Sequence, residues 1–492
     1  MVTNKLLLSS AALLSLFLAV SCDDHRAPDS PAITTQNRSV TPVLAKLLPG
    51  AAGGRVSADG VKLYSLLSSD DKLEQSPNFV FGGSADGAGV FQNPNGTYSI
   101  LVNNEDNFSV ARITLDKSFK PVKGEYVLNS DGGTWRLCSG TLVTPLEHGF
   151  GPLFLTSGES GEESRTHALK VDADAQQAGI SREVAGLGRW SAENAVPLPK
   201  TAYPGKTAIL IGDDDSGANG GQLALYLSNT VGDLDNGSLY MLKLADGNQR
   251  EMDMQPGTSY SVEFAKIENH KTLTGAQINA KVNELKAMKF GRVEDVDYRK
   301  GSAANGREVI FAVTGQNNTG TNADYSRSKY GRIYRLTMDA ADPTKGKLEV
   351  LLNGDDRNGI AKTFQDPDNV CVTTNYIYIM EDPNEYGDEK HDGYVYQYNI
   401  NTKQLTPILE LDHRRTEADA AKYNVGGTSK LGSWESSGMI DVSDVTGKPN
   451  TFMLGIQAHT WRDDKYKGVD GGSVRKAENQ ASQLILIEGL PR

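Results

Sequence analysis

The chain has 492 residues and a formal net charge of −12, with 50 Lys and Arg against 62 Asp and Glu. This acidic balance argues against nucleic acid as a partner and suits the binding of metal cations, although ordinary solubility explains it as well. Glycine (51 residues) and tyrosine (19 residues) are frequent, which favours many short strands joined by turns over long helices.

The first 21 residues have the pattern of a bacterial export signal. Lys5 supplies a positive charge and residues 6–20 are apolar, but this run is too short and too weakly flanked for a mature membrane span. The run ends in Leu-Ala-Val-Ser-Cys (18–22), which looks like a lipobox; a plain secretory signal with a chance cysteine is the alternative. We therefore predict a signal peptide at 1–21, a lipidated Cys22 with a flexible tether over 22–62, and an extracytoplasmic protein. It would be anchored in the bacterial cell envelope, at the periplasmic face or at the cell surface.

From residue 63 onward, short apolar runs alternate with Gly, Asn and Asp. They have strand length and are rich in β-branched residues and Tyr. The runs lie at 79–83, 98–105, 109–115, 152–159, 207–215, 222–228, 237–244, 307–315, 331–338, 376–382, 392–400 and 451–459. Their even spacing predicts an all-β fold over 63–492 in which sheets repeat radially, a β-propeller. An assembly of sandwiches or two separate domains is the alternative.

One segment departs from the strand pattern. Ile278, Val282 and Leu285 have helical spacing, and Thr274 is a suitable N-cap. We therefore predict one inserted amphipathic helix over residues 274–288.

Acidic residues recur where strands end. A single acid at such a place is normally a solvated turn residue, whereas many acids at one edge of successive sheets repel one another unless a cation neutralises them. Acids follow predicted strands at Glu105, Glu159, Asp213, Asp214, Asp215, Glu381 and Asp382. Others stand in segments predicted to be polar turns, namely Glu193, Glu294, Asp366, Asp368 with Asn369, and Glu435, and His459 closes a further strand. A metal site at one mouth of the propeller is the interpretation that this repetition favours.

Cys138 adds a soft ligand to this set. A thiolate near the carboxylate of Glu159 suits a transition metal. The alternative is a disulfide between Cys138 and Cys371 in an exported protein, and Cys371 is also compatible with a buried apolar role. The acidic segment 212–222 lacks the spaced acids and terminal Glu of an EF-hand, so a loose calcium loop and a hairpin turn both remain open.

Several motifs, taken in order, resemble the PhoX-type alkaline phosphatases. They are ILVNNE (100–105), LCSG (137–140), LFLTSGE (153–159), GRWSAENA (188–195), FGRVEDVDY (290–298), FQDPDNVCVT (364–373), YIMED (378–382), SWESSGMI (433–440) and LGIQAH (454–459). The sequence departs from the family pattern at Ala192, which precedes Glu193 where the family usually carries His, and around Glu294, which lacks the usual Pro and Gly.

The resemblance implies a propeller of six blades with an iron–calcium site. Carried over residue by residue, it implies Cys138 and Glu159 as iron ligands and Glu193 and Glu294 as shared carboxylates. It implies calcium or bridging roles for Glu105, Asp368, Asn369 and Glu381. Arg292 is the candidate for contacting phosphate, with a surface or strand-pairing arginine as the alternative. His459 is the candidate acid for the leaving group, with a hydrogen-bonded channel histidine as the alternative.

Two functions follow as expectations. The first is an extracytoplasmic metal-dependent phosphoesterase that releases phosphate from small phosphate monoesters. The second is a non-catalytic, calcium-stabilised propeller lipoprotein that binds a ligand or partner. We expect a monomer that contacts the membrane only through the lipid on Cys22.

Overall fold

A computed structural model describes residues 32–48, 60–383, 386–427 and 429–492. The predicted signal peptide and Cys22 therefore lie outside the described residues. Nearly all regular structure is β. In chain order the strands are β1 (Ala45–Leu47), β2 (Lys62–Ser68), β3 (Ala85–Gln92), β4 (Tyr98–Asn104), β5 (Ser109–Leu115), β6 (Pro121–Leu128), β7 (Arg136–Val143), β8 (Leu153–Glu159), β9 (Thr166–Lys170), β10 (Ala192–Pro197), β11 (Thr207–Asp213), β12 (Gln222–Ser228), β13 (Ser238–Leu244), β14 (Ser259–Ile267), β15 (Val293–Tyr298), β16 (Glu308–Val313), β17 (Arg332–Met338), β18 (Lys345–Asn353), β19 (Pro367–Val372), β20 (Tyr376–Glu381), β21 (Tyr394–Asn399), β22 (Leu405–Leu411), β23 (Glu435–Asp441), β24 (Thr451–Arg462) and β25 (Gln480–Glu488).

The strands form antiparallel sheets arranged as a propeller. Their orders are β2-β25-β24-β23, β3-β4-β5-β6, β7-β8-β9, a nine-stranded sheet β10-β11-β12-β13-β14-β18-β17-β16-β15, and β1-β22-β21-β20-β19. The nine-stranded sheet consists of two meanders joined edge to edge, because Ser259–Glu263 of β14 pair with Lys345–Glu349 of β18. Divided there, the described residues give six sheet units, the number that the family resemblance implies.

Six innermost strands surround the axis. In order around the ring, β3 contacts β7, β7 contacts β10, β10 contacts β15, β15 contacts β19, β19 contacts β23, and β23 returns to β3. The apolar core lies between neighbouring sheets; Leu155 of β8, for example, packs in one cluster with Ile209 and Ile211 of β11. The all-β propeller predicted from the sequence is confirmed.

The chain closes the ring with strands from both ends. β2 pairs with β25, so strands from near both ends of the chain share one sheet. Upstream of them, Ala45–Leu47 pair with β22, and Ile33 and Leu44 are buried. Residues 32–48 are thus packed on the propeller, which differs from the flexible tether expected over 22–62. The apolar residues Ile33 and Leu44 supply the physical reason, since both leave water on packing.

The inserted helix forms where the sequence predicts it. It spans Gly275–Leu285 (α2), with Thr274 as N-cap and a capping box completed by Gln277. Ile278 and Val282 are fully buried. Its first turn contacts the loop after β8, because the Gly275 N–H donates to Glu163 Oε1 at 2.9 Å. The other α-helical turns among the described residues are short: α1 (Ser130–Gly133), α3 (Ala420–Tyr423) and α4 (Ser443–Thr446).

Two groups of sequence predictions need correction. The run at 79–83 forms no strand. The segments of Glu193, Glu294, Asp368 with Asn369, and Glu435, which were predicted to be turns, belong to the innermost strands β10, β15, β19 and β23. The physical reason is that polar side chains face the channel axis there, so the apolar alternation that marks a half-buried strand is absent.

Candidate metal centre

Each innermost strand carries a metal-ligand type of side chain within its first three positions. All of these side chains are buried. They are Asp86 in β3, Cys138 in β7, Glu193 in β10, Glu294 in β15, Asp368 in β19 and Glu435 in β23. The ring of strands therefore delivers a ring of carboxylates and one thiol to the same mouth of the channel.

Local irregularities in the strands turn these side chains toward the axis. The pairing register with the second strand of the sheet shifts between Ala85 and Ala88, and again between Leu137 and Gly140. Comparable shifts flank Glu193, Glu294 and Asp368. A β-bulge leaves a residue unpaired and re-aims its side chain. In five of the six strands the bulge thus contains the ligand-type residue itself, and in β23 it follows at Ser437–Ile440.

Ligand atoms from this ring converge in overlapping groups. Within each group the atoms lie within 4.8 Å of one another. The groups are Asp86 with Cys138 and Glu193; Glu105 with Cys138 and Glu159; Asp86 with Glu105 and Glu435; Glu193 with Glu294 and Asp368; and Asp382 with Glu435 and His459. Shared members link the groups around the mouth, which is the arrangement expected of a site that holds several cations.

The ends of the second strands supply the remaining members. Glu159 ends β8, and its Oε2 accepts a hydrogen bond from the Cys138 thiol at 3.1 Å. Glu105 directly follows β4, and Asp382 directly follows β20. Because adjacent strands are antiparallel, the start of an innermost strand and the end of its neighbour lie at the same edge of the sheet.

Two arginines partly neutralise the acids. Arg136 lies 3.3 Å from Glu105 Oε1 and 4.0 Å from Glu159 Oε2. Arg292 forms a fork to Asp214, with Nε 2.6 Å from Oδ1 and Nη2 3.1 Å from Oδ2. The same Nη2 lies 2.8 Å from Glu294 Oε1. These contacts reach Glu105, Glu159 and Glu294. Among the described residues, the carboxylates of Asp86, Glu193 and Asp368 form no salt bridge.

Burial and mutual repulsion raise the pKa of these acids. Burial is the larger cause, and the neighbouring carboxylates add to it, for the pKa of Asp86, Glu193 and Glu435, all well above the ordinary range. The pKa of Glu105 rises to about 7 through burial, although Arg136 opposes the shift. Burial and the same carboxylates also raise the pKa of the Cys138 thiol. A bound cation would favour the charged forms of all of these groups.

The donor set fits metal ions. Asp86 Oδ1 is buried and has no hydrogen-bond partner, as expected of an oxygen reserved for a ligand. Carboxylate oxygens suit calcium, and a thiolate beside carboxylates suits a transition metal. The residues present therefore fit a site of both types.

Below the acids, amide side chains join the innermost strands. Asn369 donates to Ser139 Oγ at 3.3 Å, and its Oδ1 accepts from the Gly438 N–H at 2.5 Å. The Asn103 amide donates to the Cys138 carbonyl oxygen. These bonds fix the spacing of the strands that carry the ligand-type residues.

The structure brings together most of the sequence-predicted metal ligands. Glu105, Cys138, Glu159, Glu193, Glu294 and Asp368 all belong to the close groups. Asn369 lies beside them, 2.7 Å from Asp368 Oδ1, and acts as a cross-link between strands. Arg292 lies at the rim, as does His459, whose Nδ1 is 2.8 Å from Gln480 Oε1 and whose Nε2 is 3.7 Å from Glu435 Oε2.

Glu381, which the family resemblance implies as a calcium or bridging ligand, lies outside the close groups in the described part of the chain. Its carboxylate is fully buried and accepts from the Gln365 and Tyr394 N–H groups at 2.7 and 2.9 Å, so it belongs to none of the groups formed by the described residues. The next residue, Asp382, reaches the mouth instead. The ligand-type residue Asp86 was missed from the sequence, because its segment Ala-Asp-Gly-Ala-Gly has no apolar run that signals a strand.

Both cysteines of the described residues are free thiols. Cys138 is in the candidate centre, whereas Cys371 packs in an apolar cluster with Tyr378 and Phe452. The disulfide alternative is therefore excluded in this structure.

A pocket opens outward from the groups. Its lining includes Glu159, Asp214, Asp215, Asn279, Arg292 and Tyr386. Asn279 projects from α2 and donates to Glu162 Oε2 at 3.0 Å, so the inserted helix forms one wall. Arg292 connects this pocket, which we call the mouth pocket, with Glu294 of the ring.

The all-β propeller with carboxylates and a thiol at one channel mouth places this chain among candidate metalloproteins. Residues 154–437, more than half of the chain, match the family described as alkaline phosphatase PhoX. The chain belongs to that family. No curated protein sequence matches it.

The solved structures extend the likeness over the whole fold. Pseudomonas fluorescens PhoX, in complex with the transition-state analogue vanadate, is 14% identical with a TM-score of 0.60, covering 94% of this chain and 97% of that one. The PQQ-bound aldose sugar dehydrogenase of Streptomyces coelicolor is 9% identical with a TM-score of 0.36, covering 87% and 98%. At 14% identity, the likeness to PhoX supports the fold alone.

Proposed function

We propose that this protein is a metal-dependent phosphoesterase that releases phosphate from small phosphate monoesters. The observation that carries the proposal is the ring of six ligand-type residues, one from each innermost strand, with Arg292 beside it in a solvent-connected pocket. Membership of the alkaline phosphatase PhoX family supports it.

The proposed metals are iron and calcium. Cys138 and Glu159 would hold iron, because they pair a soft thiolate with a carboxylate. The carboxylates of Glu193, Glu294 and Asp368, together with Asp86, Glu105 and Glu435, would bridge the metals or hold calcium. When bound, such metals supply positive charge that stabilises the charge spread of phosphoryl transfer.

The protein side chains would bind and orient the substrate. Arg292 presents a planar, permanently charged guanidinium to the mouth pocket, which suits the oxygens of a phosphate group. His459 stands at the rim beside Glu435, where a proton held on Nε2 could pass to a leaving oxygen. Tyr386 and Asn279 border the space for the rest of the ester.

We further propose that the protein acts outside the cytoplasm on a lipid anchor. The support is the apolar run 6–20 and the lipobox-like end at Cys22. Among the described residues, no helix is long and apolar enough to cross a membrane.

The test is hydrolysis of a chromogenic phosphate monoester by the full-length protein purified in detergent. We expect metal-dependent release of phosphate that Arg292→Ala reduces by at least about 100-fold in kcat/KM. Arg335→Ala is the matched control, because Arg335 pairs with Glu349 on the outer strands of its sheet. Absence of turnover with iron and calcium supplied, while calcium still raises the melting temperature, would instead favour the non-catalytic propeller.

A further inference from the structure

Three consecutive acids, Asp213, Asp214 and Asp215, stand at the end of β11 and make three different contacts. Asp213 Oδ1 accepts from the Ser191 N–H at 3.1 Å, and Asp215 Oδ1 accepts from the Gly217 N–H at 2.7 Å. None of them belongs to a close ligand group among the described residues. Asp214 and Asp215 begin the connection of the β11–β12 hairpin, in which Thr207–Asp213 pair with Gln222–Ser228.

Asp214 alone points its carboxylate at Arg292. Both of its oxygens are used, at 2.6 Å from Nε and 3.1 Å from Nη2. This two-point contact fixes the plane of the guanidinium as well as its position. On the other side, Nη2 lies 2.8 Å from Glu294 Oε1. The guanidinium is thus held between an acid of the mouth pocket and an acid of the ring.

The backbone that carries Asp214 is itself fixed. The Asp214 N–H donates to the Ser191 carbonyl at 2.7 Å. Two positions earlier, Gly212 approaches β15 so closely that a Cβ there would lie 2.2 Å from the Glu294 carbonyl oxygen. The backbone of Asp214 is therefore held in place beside Arg292.

The orientation of Arg292 depends on such a fixed partner. Its φ is 70°, a left-handed conformation that is uncommon for a residue with a side chain. Without Asp214, the nearest acid in contact with the guanidinium is Glu294, toward which it would turn.

We propose that Asp214 is a positioning residue: it holds the Arg292 guanidinium in the orientation that receives the phosphate group in the mouth pocket. This inference rests on the proposed function. It predicts that removal of the Asp214 carboxylate weakens phosphate binding. Coulomb attraction alone predicts the opposite, because loss of a negative charge beside an arginine strengthens anion binding.

Calorimetric binding of inorganic phosphate to the metal-loaded, full-length protein tests the proposal. We expect Asp214→Ala to raise the dissociation constant of phosphate by at least about tenfold. The nearly isosteric Asp214→Asn keeps one acceptor oxygen and should show an intermediate loss. Asp233→Asn is the matched control, because it also removes one negative charge, from the loop after β12. Asp233 Oδ1 accepts a hydrogen bond from the Asn236 N–H there, and the variant should bind phosphate like the parent.

A double-mutant cycle separates positioning from general damage. In an Arg292→Ala background, Asp214→Ala should cause no further loss of phosphate affinity, because the group that it positions is gone. Additive losses, or unchanged or tighter binding by Asp214→Ala, would overturn the inference while leaving the proposed function intact. Failure of the metal-loaded parent to bind phosphate would overturn both.

Discussion

The thiol of Cys138 lies 3.1 Å from Oε2 of Glu159, although the two residues sit on different strands and 21 positions apart. Ligand atoms of Cys138, Glu159 and Glu105 also lie within 4.8 Å of one another. A thiol is a weak hydrogen-bond donor, so this contact alone gives little stability. Its significance is that it places one soft and two hard ligand atoms around a common point, as a transition metal requires.

The stability of the metal-free protein should fall as pH rises. In the unfolded chain Glu105 loses its proton near its ordinary pKa of 4.5, whereas burial in the folded state raises that pKa to about 7. The contribution of this carboxyl to the free energy of unfolding is therefore fully present below pH 4.5 and is lost as pH increases through 7. The other carboxyls with raised pKa add to this loss. With chelator present, we expect a melting temperature at least about 5 °C lower at pH 7.5 than at pH 4.5. Saturating calcium should remove most of this slope; an equal slope with and without calcium would contradict the account.

Substitution of Glu435 should have opposite effects with and without metal. Glu435→Gln removes a buried carboxylate whose pKa is raised by burial and by Asp382. We expect the metal-free protein to gain stability at pH 7.5, because Gln, unlike Glu435, neither takes up a proton nor holds a repelled charge on folding. The purified variant should contain less calcium. Thermal unfolding and elemental analysis measure the two effects.

Glu381→Gln is the control for this prediction. Glu381 is also fully buried, but its oxygens accept from the Gln365 and Tyr394 N–H groups. Its substitution should destabilise both forms without lowering the calcium content. Equal calcium loss in the two variants would show that the ring is not what binds the metal.

The close approach of innermost strands β3 and β23 should make Gly438 intolerant of a side chain. Its φ is 58°, and a Cβ there would lie 2.2 Å from the Asp86 carbonyl oxygen. We expect Gly438→Ala to reduce the free energy of unfolding by about 3 kcal/mol or more. Gly257 also has a positive φ, of 78°, but its Cβ would meet nothing within 4 Å, so Gly257→Ala should cost only about 1 kcal/mol. Urea unfolding measures both values. Equal losses of unfolding free energy in Gly438→Ala and Gly257→Ala would mean that β3 and β23 are not tightly packed at Gly438.

The fold was predictable from its outer strands and not from its inner ones. Runs such as 109–115 and 222–228 coincide with β5 and β12, because their apolar residues face a core. The six innermost strands gave no such signal: they contain bulges, glycines and the ligand-type side chains, whose partners are on other strands. The inserted helix was predicted with its cap at Thr274, since helix periodicity and capping are local properties.

The same distinction applies to the site. Cys138 and Glu159 could be linked from the sequence because they close one hairpin, and the family resemblance supplied Glu193, Glu294 and Asp368. Asp86 joins the groups only through contacts between sheets. The choice between Glu381 and Asp382 depends on which side of the backbone each side chain faces at the end of β20. Neither the contacts between sheets nor the directions of these two side chains can be read from the sequence.

The most direct test of the central claim is metal analysis of the purified full-length protein beside Cys138→Ala and Cys371→Ala. Both thiols are buried and free, but only Cys138 belongs to the ring. The account predicts iron together with calcium in the parent, iron lost from Cys138→Ala, and iron retained in Cys371→Ala. Calcium without iron in all three proteins would contradict it and leave a calcium-stabilised propeller in its place.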